Sequence, residues 1–442
     1  MLYFGTDGIR AANKSAFFSS KILYVLGQAL ALWNQEKKNR TKNILCIYDT
    51  RASASHILHA LTQGLMDAEH TLFDGGILPT PAAHWIMQKS PFDFAIIITA
   101  SHNPSTDNGI KLLLPKSKIT EADEQIIENH FSNLLLRTTK SRSRKKQTCV
   151  PFQQDAKKIF LEEFFSALPT PDLTGKKICI DCANGAITTV IHELLEPTNA
   201  TIHLWNNKPN GRNINQNCGA THPHAISTYV KECNADLGFS FDGDGDRIIS
   251  ANAQGIIKTG DDLLAAILQH PVFSMNKTVV GTIMSNQGFA RYLESQKKEL
   301  IRAPIGDRNI IKSMVQNDSR LGGEPGGHII ILQPGIASSD GPAVMLWTLD
   351  SLTHHTDQLL AFFTPDIQIT RSIKTLHKPD FSDYTPYKLA LEKLHTIIPQ
   401  GRSCIRYSGT EPLLRITVEN SEAKSAEQAL DILTNTFNEL FA

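Results

Sequence analysis

Phe92-Asp93-Phe94-Ala95-Ile96-Ile97-Ile98 runs straight into Thr99-Ala100-Ser101-His102-Asn103-Pro104. The first segment is short and almost continuously apolar, which reads as a strand buried on both faces and hence as part of a helix-covered α/β sheet. Ser101 then emerges at the carboxyl end of a strand. In an open α/β sheet the crevice beyond the strand ends collects binding loops, and Asn103-Pro104 forces a turn that lifts Ser101 and His102 out of regular structure. Taken alone, the hexapeptide reads equally well as a capped turn.

Outward from this stretch, Lys42 to Asp49, Lys176 to Asp181 and Asn276 to Gly281 share one grammar: polar or basic residues, a short apolar strand, then a loop. About forty to sixty residues further on, each reaches a polar or glycine-rich loop: Ser101 to Pro104, Asp242 to Arg247, and Gly322 to His328. This pattern predicts three related α/β units, each presenting one loop to a common centre. The last segment differs. Leu414, Ile416 and Val418 alternate with Arg415, Thr417 and Glu419, which predicts a half-exposed strand. Ala426, Ala429, Leu430, Leu433 and Phe437 follow at helical spacing. The expected architecture is three α/β domains with mixed, mainly parallel sheets and a smaller C-terminal α+β domain with an antiparallel sheet. The expected divisions are 1–150, 151–252, 253–366 and 367–442.

Composition narrows the class. The 442 residues exceed one compact core. Hydrophobic content of 41% and charged content of 20% are those of an ordinary globular protein. Lys+Arg and Asp+Glu are both 44, so no global field recruits nucleic acid or an anionic membrane, and anion binding must be local. No run approaches the ~18 apolar residues of a membrane span, and the amino terminus lacks a secretory pattern, so a cytoplasmic protein is expected. Seven scattered cysteines suggest reduced thiols. Cys179 and Cys182 form a C-x-x-C without a second pair and read as core and loop fillers. Arg137 to Lys146 holds six basic residues in ten without interleaved aromatics and reads as a solvated linker. His56 with His59, His222 with His224, and His354-His355 read as structural or surface residues.

Asp242-Gly243-Asp244-Gly245-Asp246-Arg247 is the most specific local signal. Three carboxylates at alternate positions, with glycines that let the backbone curl, converge on one hard cation, and Mg²⁺ is the default. An EF-hand is excluded, because Arg247 stands where its glycine belongs and Ala253 where its glutamate belongs. Arg247 adds a positive charge beside the triad, suited to a phosphate oxygen. With Ser101 there, the centre suits phosphoryl transfer, because a phosphorylated serine held by a metal ion is a competent donor. Lys111 or His102 is placed to handle the proton of an attacking sugar hydroxyl. Phe4-Gly5-Thr6-Asp7-Gly8-Ile9-Arg10 and Arg406-Tyr407-Ser408-Gly409-Thr410-Glu411-Pro412, with Arg415 beyond, are rich in donors that suit a phosphate.

These stretches, with Gly323-Glu324 and Gly327-His328, occur in the order seen in the α-D-phosphohexomutases, which the chain resembles from residue 4 to residue 415. Within that superfamily it is most similar to the bacterial phosphoglucosamine mutases. The resemblance implies four domains around a deep cleft, the last acting as a lid. It also implies Ser101 as phosphoserine, and Mg²⁺ held by that phosphate with Asp242, Asp244 and Asp246. Substrate would be met by Thr6, Arg10, Asp307, Arg308, Glu324 and His328, and its phosphate clamped by Arg406, Ser408, Gly409, Thr410 and Arg415. The implied reaction interconverts glucosamine 6-phosphate and glucosamine 1-phosphate through a sugar 1,6-bisphosphate, a step towards UDP-N-acetylglucosamine and the cell envelope, in a monomer or homodimer. One departure bears on the sugar. Relatives read Gly-Glu-Gln-Ser-Gly-His, and here the middle pair is Pro325-Gly326, so a glucose or mannose phosphate is the alternative substrate. Ala11 replaces the usual glycine. A non-catalytic sugar-phosphate-binding protein and a serine phosphatase are the readings from other classes.

Overall fold

The computed structural model describes residues 3–5, 7–37, 41–137, 148–332, 336–354, 360–408 and 412–441. Thr6, Gly409, Thr410, His355 and the basic stretch beyond Arg137 lie outside the described residues.

Four sheets organise the described residues. The first contains β1 (Ile9–Ala12), β2 (Asn43–Tyr48), β3 (Thr71–Ile77), β4 (Phe94–Ile98), β5 (Asp107–Leu114), β6 (Ser117–Lys118) and β7 (Val150–Pro151), in the order β1-β5-β4-β2-β3-β7 with β6 on β5. The second contains β8 (Lys177–Asp181), β9 (Thr201–Trp205), β10 (Leu237–Phe241), β11 (Ile248–Asn252) and β12 (Ile257–Lys258), in the order β12-β11-β10-β8-β9. The third contains β13 (Thr278–Thr282), β14 (Glu299–Ala303), β15 (Leu321–Gly323) and β16 (Ile329–Ile331), in the order β14-β13-β15-β16. The fourth contains β17 (Ile367–Lys374), β18 (Arg402–Tyr407) and β19 (Leu413–Asn420) and is antiparallel throughout.

The first three sheets repeat one wiring. Their first central strands β2, β8 and β13 each pair in parallel with the strand that carries a loop, β4, β10 and β15. Each loop strand then pairs antiparallel with the strand that follows it, β5, β11 and β16. The three loops therefore leave their sheets at the same structural position, the carboxyl end of a strand whose side chains are buried on both faces. Every residue of β4 and of β10 is buried, as their apolar composition requires.

One apolar cluster runs through all three units, from Leu45 and Ile97 through Phe160, Ile180 and Phe239 to Leu264, Phe289 and Leu346. The units are thereby fixed relative to one another. The fourth sheet has its own core of Leu394, Leu414, Ile416, Val418, Leu430 and Phe437, packed under the helix Ala423–Phe441. Here the sequence expectation needs a correction. β19 is not half-exposed: Thr417, Glu419 and Asn420 are buried along with the apolar residues. Glu419 is buried because it faces the third unit, where its Oε2 accepts the backbone N–H of Gln287 at 2.8 Å, while its Oε1 accepts Gln368 Nε2 of the neighbouring strand β17 at 2.9 Å. Cys179 and Cys182 are buried free thiols, as filler residues should be. Among the described residues no helix is long and apolar enough to cross a membrane.

Candidate active site

Ser101 is buried and takes a left-handed backbone conformation, φ +50°. A non-glycine residue there costs roughly 1–3 kcal/mol and persists only where its surroundings enforce it. Its Oγ donates to Asp242 Oδ2 at 2.6 Å and lies 3.3 Å from His102 Nδ1. The loops of the first and second units can approach this closely because residue 243 is glycine. A Cβ at Gly243 would lie 2.7 Å from the Ser101 carbonyl oxygen and 2.7 Å from Ile214 Cδ1.

The three aspartates of the second loop are all buried, and their ligand-bearing oxygens lie within 4.8 Å of one another. Burial, reinforced by the charges of Asp246 and Asp244, pushes the Asp242 carboxyl up to about 7. Asp244 Oδ2 accepts Thr80 Oγ1 at 2.6 Å and Lys111 Nζ at 2.9 Å, while Asp244 Oδ1 is buried without a partner among the described residues. An acceptor left bare in a nest of carboxylates is the mark of a cation site, because a buried unsatisfied acceptor costs about 1–3 kcal/mol. The donors are hard oxygens, so Mg²⁺ fits them.

Lys111 is enclosed by carboxylates: Asp246 Oδ2 at 2.7 Å, Asp244 Oδ2 at 2.9 Å and Asp7 Oδ2 at 3.0 Å. Although burial acts against its charge, these neighbours hold the ammonium protonated well above the usual lysine range. Burial lowers His102 to about 4, with Arg247 and Arg10 adding to the effect. Of the two expected proton handlers, His102 is the one beside the serine oxygen, and Lys111, on β5, is the charge that ties the first unit to the aspartate loop of the second.

The third unit's loop joins the same centre. Arg247 and His328 form a backbone bridge, and Ile248 N donates to Gly327 O at 3.0 Å. Gly327 has φ +96°, and a Cβ there would sit 2.5 Å from Ile248 O, so only glycine lets these loops meet. His328 stands between Glu324 Oε1, 3.0 Å from its Nδ1, and Asp246 Oδ1, 3.2 Å from its Nε2. Burial and Arg247 oppose its charge, yet these two carboxylates raise it to about 9. The cationic ring donates from both nitrogens, so Arg247 Nε, 3.2 Å away, meets a like charge held in place by the surrounding acids.

A cleft of about 450 Å³ opens on this cluster, lined among others by Gly5, Arg10, Arg247, Asp307, Glu324 and His328. Asp307 is ion-paired with Lys118, which also holds Asp7, and Arg308 is ion-paired with Glu124. Both third-unit residues therefore face the first unit. Arg406, Ser408 and Arg415 sit together on the fourth sheet, where Arg406 and Arg415 are direct cross-strand partners. Two guanidinium groups in that register offer several donors from one place, which suits a phosphate.

Asp7, Thr80, Lys118, Asn215 and the turn Asp49-Thr50-Arg51 belong to the site's framework and were not singled out from the sequence. The turn carried a readable signal, because it follows β2 at the same sheet edge as the Ser101 loop. His354 comes together with His270 and Asp350. That group keeps its structural reading, because His270 Nδ1 accepts the Val272 N–H at 3.2 Å. The proton then sits on Nε2, 2.7 Å from Asp350 Oδ2, and leaves no lone pair for a metal.

Four family models match in chain order: phosphoglucomutase/phosphomannomutase alpha/beta/alpha domain I over residues 1–137, domain II over 160–255, domain III over 259–364, and the C-terminal domain over 397–435. A phosphoglucosamine mutase of Aliarcobacter butzleri (strain RM4018) is 34% identical over 446 residues, covering 99% of this chain and 99% of its own. The chain belongs to the phosphoglucomutase/phosphomannomutase family. It is thus a phosphohexomutase, an enzyme of the isomerase class that transfers a phosphoryl group within its substrate. Solved structures share the fold. A phosphoglucomutase/phosphomannomutase family protein from Burkholderia thailandensis has a TM-score of 0.81 at 18% identity, with 99% of this chain and 97% of that one covered. The Aspergillus fumigatus N-acetylphosphoglucosamine mutase, solved with GlcNAc-6P and magnesium, has a TM-score of 0.61 at 18% identity, covering 89% and 82%.

Proposed function

We propose that this phosphohexomutase acts on glucosamine phosphates, interconverting the 6-phosphate and the 1-phosphate in the cytoplasm. Ser101 Oγ at 2.6 Å from Asp242 within a buried triad of aspartates supports the phosphoryl chemistry, and the 34% identity to a phosphoglucosamine mutase over the whole chain supports the sugar. Phosphorylated Ser101 gives its phosphoryl group to the free hydroxyl of the bound sugar phosphate. The new P–O bond forms to the sugar oxygen, the bond to Ser101 Oγ breaks, and the hydroxyl proton passes by way of His102, the neutral base 3.3 Å from Oγ, to the departing serine oxygen. The product is a 1,6-bisphosphate. After it turns over in the cleft, Ser101 Oγ attacks the other phosphate, the P–O bond to that sugar oxygen breaks, and the serine proton passes to the freed sugar oxygen. Asp242, Asp244 and Asp246, with the phosphoserine, would hold Mg²⁺, which when bound supplies positive charge against the transferred phosphoryl oxygens.

The remaining roles follow from position. Lys111 and Arg247 neutralise the acidic loop, Glu324 and His328 meet the sugar, and Arg10, Asp307 and Arg308 line the substrate entry. Arg406, Ser408 and Arg415 hold the phosphate that is not reacting, and the resemblance adds Gly409 and Thr410 to that clamp and Thr6 to the substrate contacts. The division at 1–150, 151–252, 253–366 and 367–442 assigns one loop to each domain.

A second sugar has one observation in its favour. The Cβ position of Gly326 lies 3.5 Å from Glu324 Oε1, so the serine hydroxyl of the relatives' loop would stand beside that carboxylate, and here it is missing. Glucose or mannose phosphates are the alternative for that reason. Steady-state turnover on glucosamine, glucose and mannose 1-phosphates separates them, with the highest kcat/KM expected for glucosamine. A higher value for either other sugar overturns the assignment and leaves the phosphoserine chemistry in place.

A further inference from the structure

Arg51 lies in the turn after β2, is 2% exposed, and turns both its Nη groups to the Ser101 loop. Nη2 donates to the carbonyls of Ser101 at 2.9 Å and Asn103 at 2.7 Å. Nη1 donates to the carbonyl of Asp107 at 3.0 Å and to that of Pro104. The remaining Nε–H goes to Asp49 Oδ2 at 2.9 Å. Four carbonyls of one short loop thus converge on a single planar cation, which alone among side chains presents five donors in a rigid fork.

Asp49 closes the arrangement. Its Oδ2 also accepts Thr99 Oγ1 at 2.6 Å, and that hydroxyl accepts the Ser101 N–H at 2.8 Å. Ser101 is therefore held at its amide through Thr99 and Asp49 and at its carbonyl by Arg51. From the second unit, Asn215 Nδ2 donates to the same Ser101 carbonyl at 2.8 Å, while Thr50 Oγ1 donates to Asn184 O at 2.6 Å. The turn consequently fixes both the left-handed backbone of Ser101 and its register against the aspartate loop.

We propose that Arg51 is a positioning residue for phosphoryl transfer. It holds the Ser101 loop in the strained conformation that aims Oγ at Asp242, while touching neither substrate nor metal. This rests on Ser101 being the phosphoryl carrier, and it adds the element that keeps the carrier in line. A displacement of about 1 Å at a reacting atom costs roughly 100-fold in rate. Relaxation of the loop should therefore appear in kcat, and sugar-phosphate binding on the far side of the cleft should be spared.

The test uses the full-length protein with Mg²⁺ and glucose 1,6-bisphosphate as phosphoryl donor. Arg51→Lys keeps the charge beside Asp49, but one ammonium cannot span four carbonyls. Thr99→Val leaves the ion pair intact and removes only the anchor of the Ser101 amide. Arg51→Lys is expected to lower kcat about 100-fold and Thr99→Val about 10-fold, each with KM within about twofold of wild type. Phosphorylation of Ser101, followed by intact mass in single turnover, should slow by the same factors. Thr99→Val decides the matter alone where Arg51→Lys does not fold. Wild-type kcat in the folded variants, or losses that fall on KM, would overturn the inference while leaving Ser101 as carrier. A wild type that never acquires phosphate on Ser101 would sink both.

Discussion

The left-handed φ of Ser101 and the missing side chain at residue 243 are two sides of one contact. A strained serine is brought against a loop that could not approach it if it carried a Cβ. Gly243→Ala is expected to push the two loops apart and lower kcat by about 10- to 100-fold while the protein stays folded, as measured by steady-state kinetics beside a thermal melt. His84 makes a different point at this scale. It is fully buried in the helix Ala82–Lys89, and burial lowers its imidazole to about 4 against 6.5 in an unfolded chain. The unfolded state then takes up a proton on acidification that the folded state refuses. The stability His84 contributes is complete above pH 6.5 and is lost as pH falls towards 4, by roughly 3 kcal/mol in all. His84→Leu should therefore show a smaller drop in unfolding temperature between pH 7 and pH 5 than wild type. An unchanged drop would assign the acid sensitivity to other groups.

At the scale of elements, the sequence was informative wherever one stretch carried its own pattern. The doubly buried strands β4 and β10, the loops at their ends and the threefold repeat of the unit were all legible, because burial on both faces leaves a continuous apolar run. The ties between elements were not. Lys118 to Asp7, Arg308 to Glu124, Thr80 to Asp244 and Asn215 to the Ser101 carbonyl join residues far apart in the chain, and no local spacing encodes them. β19 shows the same limit. Its alternation was read correctly as a pattern and wrongly as exposure, because Glu419 turns outward from its own core into the third unit. The aspartate loop yields a direct prediction. Asp244→Asn removes one charge from the triad and should weaken Mg²⁺ binding at least about 10-fold by isothermal titration calorimetry. Unchanged affinity would place the metal elsewhere.

The whole molecule divides by its cores. A single apolar cluster fixes three units around the cleft, while the fourth domain has a separate core and meets the third largely through polar contacts. Arg402 donates to the Ile283 carbonyl at 2.7 Å and the Ser285 carbonyl at 3.2 Å, and the Gln287 N–H donates to Glu419 Oε2 at 2.8 Å. Interfaces of that kind permit domain motion, as the proposed lid with its phosphate clamp would require. Arg402→Met should raise KM for the sugar phosphate about tenfold and speed hydrogen exchange at Ile283 to Gln287, without slowing phosphorylation of Ser101 by the bisphosphate. A loss confined to kcat would deny this contact its part in the lid. The central claim is that Ser101 carries the phosphoryl group between the two positions of the sugar. Intact-mass spectrometry of the wild type and of Ser101→Ala, after incubation with Mg²⁺ and a sugar 1,6-bisphosphate, tests it most directly when paired with turnover of glucosamine 1-phosphate. One phosphate is expected on the wild type, none on Ser101→Ala, and a loss of at least about 1,000-fold in kcat for the variant. Mutase activity that survives in Ser101→Ala would contradict it.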